Sequence, residues 1–301
     1  MSRKKFIAII ILFFNAFAAA QEINVPAVRG ARNDAMGNAL ISEANDISAI
    51  YLNPASLVFV KENSIFLNHG QLNNKLGMTE NFAVPLLRIK PVTLSLGLES
   101  YHLGYLKENS AFPQQHIFEL GYSITAAANA FAQTFSIGAT VGFRYGKTDL
   151  SKAWAGYYSI GINYSPSSDI NYGIALSGLG DDIRYLMIDS TLSISKKNAN
   201  KKLVLGASMK YPSSSSLRRT VFVLALANEK IFGEEGLLYK TGIEIRPWQF
   251  LSFRLGYVFG PEVSEPRFGA GAIFNPLVIE YVFYAGPAPV MLQQFSLSIK
   301  M

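Results

Sequence analysis

Thr134-Phe135-Ser136-Ile137-Gly138-Ala139-Thr140-Val141-Gly142-Phe143-Arg144-Tyr145 alternates without a break. Phe135, Ile137, Ala139, Val141, Phe143 and Tyr145 share one face; Thr134, Ser136, Gly138, Thr140, Gly142 and Arg144 share the other. A period of two places successive side chains on opposite faces of a strand. A sheet in water alternates too, with its apolar face buried. Here the apolar face is wide and aromatic and the polar face is rich in Gly, Ser and Thr, which suits a wall between lipid and a barrel lumen. Val92, Leu94, Leu96 and Leu98 repeat the pattern against Thr93, Ser95, Gly97 and Glu99. Phe295, Leu297, Ile299 and Met301 do so against Ser296, Ser298 and Lys300.

The pattern extends along the chain. Strands are expected near 64–70, 79–87, 92–101, 116–127, 133–146, 154–165, 170–178, 202–211, 218–228, 237–246, 250–259, 267–274, 277–285 and 294–301. The connections between them alternate in length. Residues 71–78, 102–115, 147–153, 179–201, 229–236, 260–266 and 286–293 are long; 88–91, 128–132, 166–169, 212–217, 247–249 and 275–276 are short. Outer-membrane barrels have short periplasmic turns, longer extracellular loops and an even strand count. Segment 183–196 reads as a loop or as a further strand, which brackets the count at twelve to sixteen around fourteen. Val221–Ala227 is apolar on both faces, which a simple barrel does not explain. Tyr101, Tyr145, Trp154, Tyr164, Tyr211, Trp248 and Tyr257 fall near strand ends, where an interfacial aromatic belt would lie.

Composition agrees. The chain has 301 residues, 50 % hydrophobic and only 16 % charged, with no cysteine. It therefore has no disulfide, thiolate metal site or thiol nucleophile. Residues 1–20 read as a secretory signal peptide: Arg3-Lys4-Lys5, an apolar run from Phe6 to Phe14, then Ala18-Ala19-Ala20. Without these three cations the +6 charge falls to +3, which is no footprint for nucleic acid. After the leader no apolar run approaches the roughly 20 residues a membrane helix needs. The expected organisation is a leader (1–20), an N-terminal plug (21–62) and an outer-membrane barrel (63–301).

The plug segment departs from period two. Gly30-Ala31-Arg32-Asn33-Asp34-Ala35-Met36-Gly37-Asn38-Ala39 leads to Asp46-Ile47-Ser48-Ala49-Ile50-Tyr51-Leu52-Asn53-Pro54-Ala55-Ser56-Leu57. Its small residues permit close backbone packing. Ser42 or Asp46 would cap a short helical turn, and Pro54 would end it. Gly30, Arg32, Met36, Gly37, Asn38, Asp46, Asn53, Pro54 and Ala55 are the plug's candidate residues. This stretch resembles the start of the PorV/PorQ-like branch of the FadL-type outer-membrane proteins. Thr241–Pro247, Phe253–Tyr257, Arg267–Gly271 and Ile279–Tyr281 continue the resemblance. Ser56 stands where the family often has Gly, and Leu52 where an aromatic residue is common. The resemblance implies a 14-stranded barrel with an N-terminal plug. It implies one of two roles: type IX protein secretion with cargo or secretion partners, or passive passage of hydrophobic molecules such as long-chain fatty acids.

Catalytic chemistry is not indicated. There is no H-E-x-x-H, G-x-S-x-G or phosphate-binding loop. His102 and His116 flank a loop in which Glu108 and Ser110 have no recognisable spacing to them. Asp181-Asp182 offers too few oxygens for calcium. No cofactor is expected. Alternation aims Glu99, Glu119, Arg144, Lys202, Lys210, Lys240, Glu244, Arg246, Arg254, Arg267, Glu280 and Lys300 inward, eight basic against four acidic. An anionic headgroup would suit that imbalance. The structural alternative is internal pairing, with Glu244 diagonal to Arg254 in a hairpin. Membrane lipids are the expected surroundings on the outer face.

Overall fold

The computed structural model describes residues 30–43, 47–73, 78–105, 116–130, 134–147, 151–180, 183–187, 193–196, 201–212, 220–261, 263–285 and 291–301. The expected leader, Asp46, Glu108, Ser110 and Asp181-Asp182 lie outside these residues. Strands β1 (Ser64–Asn73), β2 (Met78–Ile89), β3 (Val92–Tyr105), β4 (His116–Ala130), β5 (Phe135–Lys147), β6 (Ser151–Tyr164) and β7 (Ile170–Gly180) form an antiparallel meander. After β8 (Ile183–Met187) and β9 (Ser193–Lys196), it resumes with β10 (Lys202–Tyr211) and β11 (Val221–Ile231). It ends with β12 (Leu238–Trp248), β13 (Leu251–Phe259), β14 (Ser264–Phe274), β15 (Leu277–Ala285) and β16 (Met291–Lys300). β16 pairs with β1, Leu297 opposite Leu67, and so closes a 14-stranded barrel with no free edge.

The ambiguous segment is a hairpin outside the barrel count. β7 leaves β6 at Gly180, opposite Tyr157, and β8 takes over that edge, pairing Met187 with Ser151 and Arg184 with Trp154. β9 then pairs with β8. The hairpin extends the barrel rim above β6.

The outward face carries a broad apolar band. Val141 is 67 % exposed and Leu226 61 %, in rows with Leu96, Leu98, Ile124, Ile162, Ile243 and Leu255. Patches of this extent are not left in water by soluble monomers, and a bilayer is the solvent that accepts them. Stacked rings mark both ends of the band. Phe135 on Tyr164 (4.6 Å) and Trp248 on Phe250 (6.0 Å) lie at the short-turn end, Tyr239 on Phe259 (5.0 Å) nearer the long-loop end. Tyr101 is a correction to the expected belt. It shares the parity of Glu99, points inward and is buried, edge-on to Phe82.

The interior holds the N-terminal segment: helix α1 (Ala31–Ala35), a 3-10 turn Ile47–Tyr51 and a second 3-10 turn Pro54–Phe59. Their apolar side chains account for the run that is apolar on both faces. Val223, Ala225 and Ala227 face inward onto Met36, Ala39, Leu40, Ile41 and Leu52, while Phe222, Leu224 and Leu226 face lipid. Leu52 is part of this core. A second cluster packs Ile47, Ile50, Leu57 and Val58 against Phe66, Val84 and Leu86.

Candidate functional site: a plugged lumen

Glycines in the wall make the seat for the plug. Gly242 and Gly256 are cross-strand partners on β12 and β13. A Cβ on Gly242 would lie 2.5 Å from the Met36 carbonyl oxygen, and one on Gly256 2.5 Å from that of Ala35. On the opposite wall Gly138 and Gly161 pair across β5 and β6 and take Asn53 and Pro54 at similar closeness. The plug turn Met36-Gly37-Asn38 itself needs positive φ at Gly37 (65°) and Asn38 (59°), where glycine and asparagine are the tolerated residues. The Asn38 side chain accepts a hydrogen bond from Asn33 at 2.7 Å. Gly30 caps α1 at φ 92°, packed between Ser48 and Phe66.

Asn53 ties the second 3-10 turn to the wall. Its Oδ1 accepts from Ala55 N at 3.1 Å as an N-cap, with Pro54 in the first turn. Its Nδ2 lies 2.6 Å from Asn163 Oδ1, 3.1 Å from Ile41 O and 3.2 Å from Ile162 O. The Ser56 hydroxyl accepts from Asn163 at 2.8 Å. The turn that Ser42 would cap lies outside the described residues; the Ser42 hydroxyl donates to Ser208 at 3.0 Å.

Charge fixes α1. Glu244 is fully buried and receives Arg32 Nε at 2.9 Å, Arg246 Nε at 2.7 Å and Arg254 Nε at 2.6 Å. Arg254 also reaches Glu280 at 2.8 Å. Glu244 and Arg254 are direct opposites, not diagonal as expected, because β12 runs on to Trp248 and turns directly into β13 at Leu251, and a bulge between Ile245 and Trp248 shifts the register by one residue. Asp34 accepts from Gln294 and lies 3.5 Å from Arg267. Elsewhere Lys240 and Lys202 share Glu229, at 2.7 and 3.4 Å, and Arg144 lies 3.3 Å from Glu99.

The expected basic excess largely vanishes. Glu80 and Glu229 point inward from the wall and Asp34 and Glu43 come from the plug, all buried. They raise the four expected acids to eight, against eight basic residues plus Arg32. Glu229 was missed because β11 runs on to Ile231 where a loop was expected. The plug acids were missed because their wall partners, Lys210, Gln294 and Arg267, lie more than 160 residues away in the chain.

In one stretch of wall the ladder lapses without a shift of register. The β2–β3 ladder runs from Thr79–His102 to Ala83–Leu98 and resumes at Leu86–Ser95, with no pairing at Val84 and Pro85. Proline has no N–H to give a ladder. Outside, a hollow of about 640 Å³ lies across β16 to β4, floored by Leu67, Ala83, Leu98, Leu120 and Leu297. His69 and Asn81 are bonded at 2.8 Å on its rim. Inside, Phe82 lies between Tyr51 of the plug (5.0 Å) and Tyr101 (6.0 Å). Both tyrosine hydroxyls are buried with no hydrogen-bond partner among the described residues. Burial, and then the Glu99 carboxylate, push the Tyr51 hydroxyl well above its usual range, so it stays a neutral donor. Ring faces inside and aliphatic side chains outside flank the one place where β2–β3 pairing lapses.

A closed 14-stranded barrel around an N-terminal plug is the fold of FadL-type outer-membrane channels. No protein-family model matches the chain, and no curated protein does. Solved structures do. The toluene transporter TbuX of Ralstonia pickettii is 13 % identical with a TM-score of 0.63, over 93 % of this chain and 100 % of that one. The monoaromatic hydrocarbon channel CymD is 14 % identical at 0.64, over 92 % and 97 %. A Pseudomonas aeruginosa FadL homologue is 13 % identical at 0.52, over 90 % and 97 %. At these identities the likeness is one of fold.

Proposed function

We propose that this protein is a non-enzymatic channel of the outer membrane that passes small hydrophobic molecules. The observation that carries this reading is the lapse in β2–β3 pairing at Pro85, with an aromatic trio behind it and an apolar hollow in front. An apolar solute needs no watery pore. It moves from the lumen between Tyr51, Phe82 and Tyr101, through the lapsed ladder, into the hydrocarbon. Leaving sideways avoids the free-energy cost of crossing water. The plug blocks the straight route. Its ion-paired anchors suit a seal, and the fold likeness to toluene and hydrocarbon channels supports the same role. The secretion role suggested by the N-terminal motif has no counterpart among these structures.

Uptake of radiolabelled toluene by cells carrying the protein, against cells with an empty vector, tests the reading. Faster uptake is expected, with no change for a hydrophilic sugar of similar mass. Equal toluene uptake in both would overturn it.

A further inference from the structure

At the short-turn end of the lumen lies a second cavity, of about 300 Å³, between the plug and the feet of β12 to β16 and β1. Short turns face the periplasm in outer-membrane barrels, so this cavity opens on the side opposite the long loops. One wall is apolar, made by Ile47, Val60, Ile273 and Val278. The other is cationic. Arg32, Lys61, Arg246, Arg254 and Lys300 bring five positive charges. Glu62 and Glu280 in the lining, with Glu244 behind them, return three.

Arg246 is the decisive group. Its side chain is partly exposed on the cavity wall and is held in place by Glu244. Arg254 behind it is buried and spent on Glu244 and Glu280. A guanidinium on a cavity wall is an acceptor's natural partner.

We propose that this cavity is a binding site for a small organic carboxylate, entered from the periplasmic side. The carboxylate oxygens accept from Arg246, bonds that charge strengthens. Lys300 and Lys61 add attraction at the mouth. A hydrocarbon ring or short chain covers the Ile273–Val278 wall. An inorganic anion leaves that wall unused, and a neutral solute leaves the surplus positive charge unmatched. The volume, at the low end for ligand pockets, limits the guest to about the size of a benzoate. The site is separate from the β2–β3 wall, so either proposal can fail alone.

The test is fluorine NMR of 4-fluorobenzoate with the purified full chain in a neutral detergent. Saturable binding is expected, weakened about ten-fold or more in the Arg246→Gln/Lys300→Gln variant by loss of charge-assisted bonds. Both side chains are partly exposed, so the barrel should fold, and unboiled gel migration checks that it has. Val278→Phe keeps every charge and should abolish binding by filling the cavity. The proposal is overturned if 4-fluorobenzyl alcohol binds as well, if equimolar inorganic phosphate displaces the benzoate, if the folded variants bind like wild type, or if no saturation is seen.

Discussion

Glu244 and Arg254 stand directly opposite each other across β12 and β13, joined at 2.6 Å, and the same carboxylate holds Arg32 of the plug at 2.9 Å. One buried side chain thus ties strand to strand and plug to wall. Deleting it takes an anion from the buried guanidinium groups of Arg32 and Arg254. Removing one partner of a buried pair costs about 3–5 kcal/mol. Glu244→Ala is expected to destabilise the protein by about that much, and Glu244→Gln by less. Equilibrium urea unfolding from lipid vesicles, read by Trp154 and Trp248 fluorescence, measures the loss. An unchanged midpoint would mean that α1 is anchored elsewhere.

Gly242 has no room for a side chain, since a Cβ there would stand 2.5 Å from the Met36 carbonyl oxygen. Backbone cannot yield as a flexible side chain does. Gly242→Val should therefore unseat Met36-Gly37 while leaving the lipid-facing wall intact. Planar-bilayer recordings should show higher ion conductance than wild type, and the purified barrel should keep its unboiled gel migration. A folded variant with wild-type conductance would show that the plug is not what closes the lumen.

The wall was readable in the sequence because lipid and lumen impose period two on every strand separately, so Thr134–Tyr145 and Val92–Glu99 each carry the signal unaided. The plug's docking was not readable in the same way. Glycines on the polar faces, such as Gly242 and Gly256, look like lumen residues until the Met36 backbone is placed against them. The double apolar face of Val221–Ala227 was the one visible trace of a packed interior. It became intelligible only with Leu40 and Ile41 opposite it. Pairing of Asp34 with Arg267, or Glu43 with Lys210 at 2.9 Å, depends on closure of the whole barrel and leaves no local pattern. Tyr101 was the avoidable error, because its parity with Glu99 already aimed it inward.

Leu226 lies midway along β11 on the lipid face, 61 % exposed to the exterior. An arginine near the bilayer midplane costs about 2–4 kcal/mol, against about 0–1 kcal/mol near the interface. Leu226→Arg should lower stability by the first amount. Trp248→Arg, at the short-turn rim, should lose no more than about 1 kcal/mol to membrane depth. Urea unfolding from vesicles compares them. Equal losses would place Leu226 outside the hydrocarbon and require a different membrane boundary.

Pro85 sits where β2 and β3 stop pairing, although Leu86–Ser95 and Ala83–Leu98 on either side keep one register. The ladder is therefore interrupted without being shifted. The cause is the missing donor, since a proline cannot bond through its nitrogen. Pro85→Val restores an N–H, keeps an apolar side chain toward lipid and suits a strand. The ladder is expected to close, slowing amide exchange at Leu96, which stands opposite position 85. If solute leaves the lumen here, toluene uptake should fall toward the empty-vector rate while conductance and gel migration stay as in wild type. Phe82→Ala supplies the converse, widening the inner approach without touching the ladder, and should not slow uptake. Slower exchange at Leu96 with undiminished uptake would separate the ladder from transport and remove the lateral route.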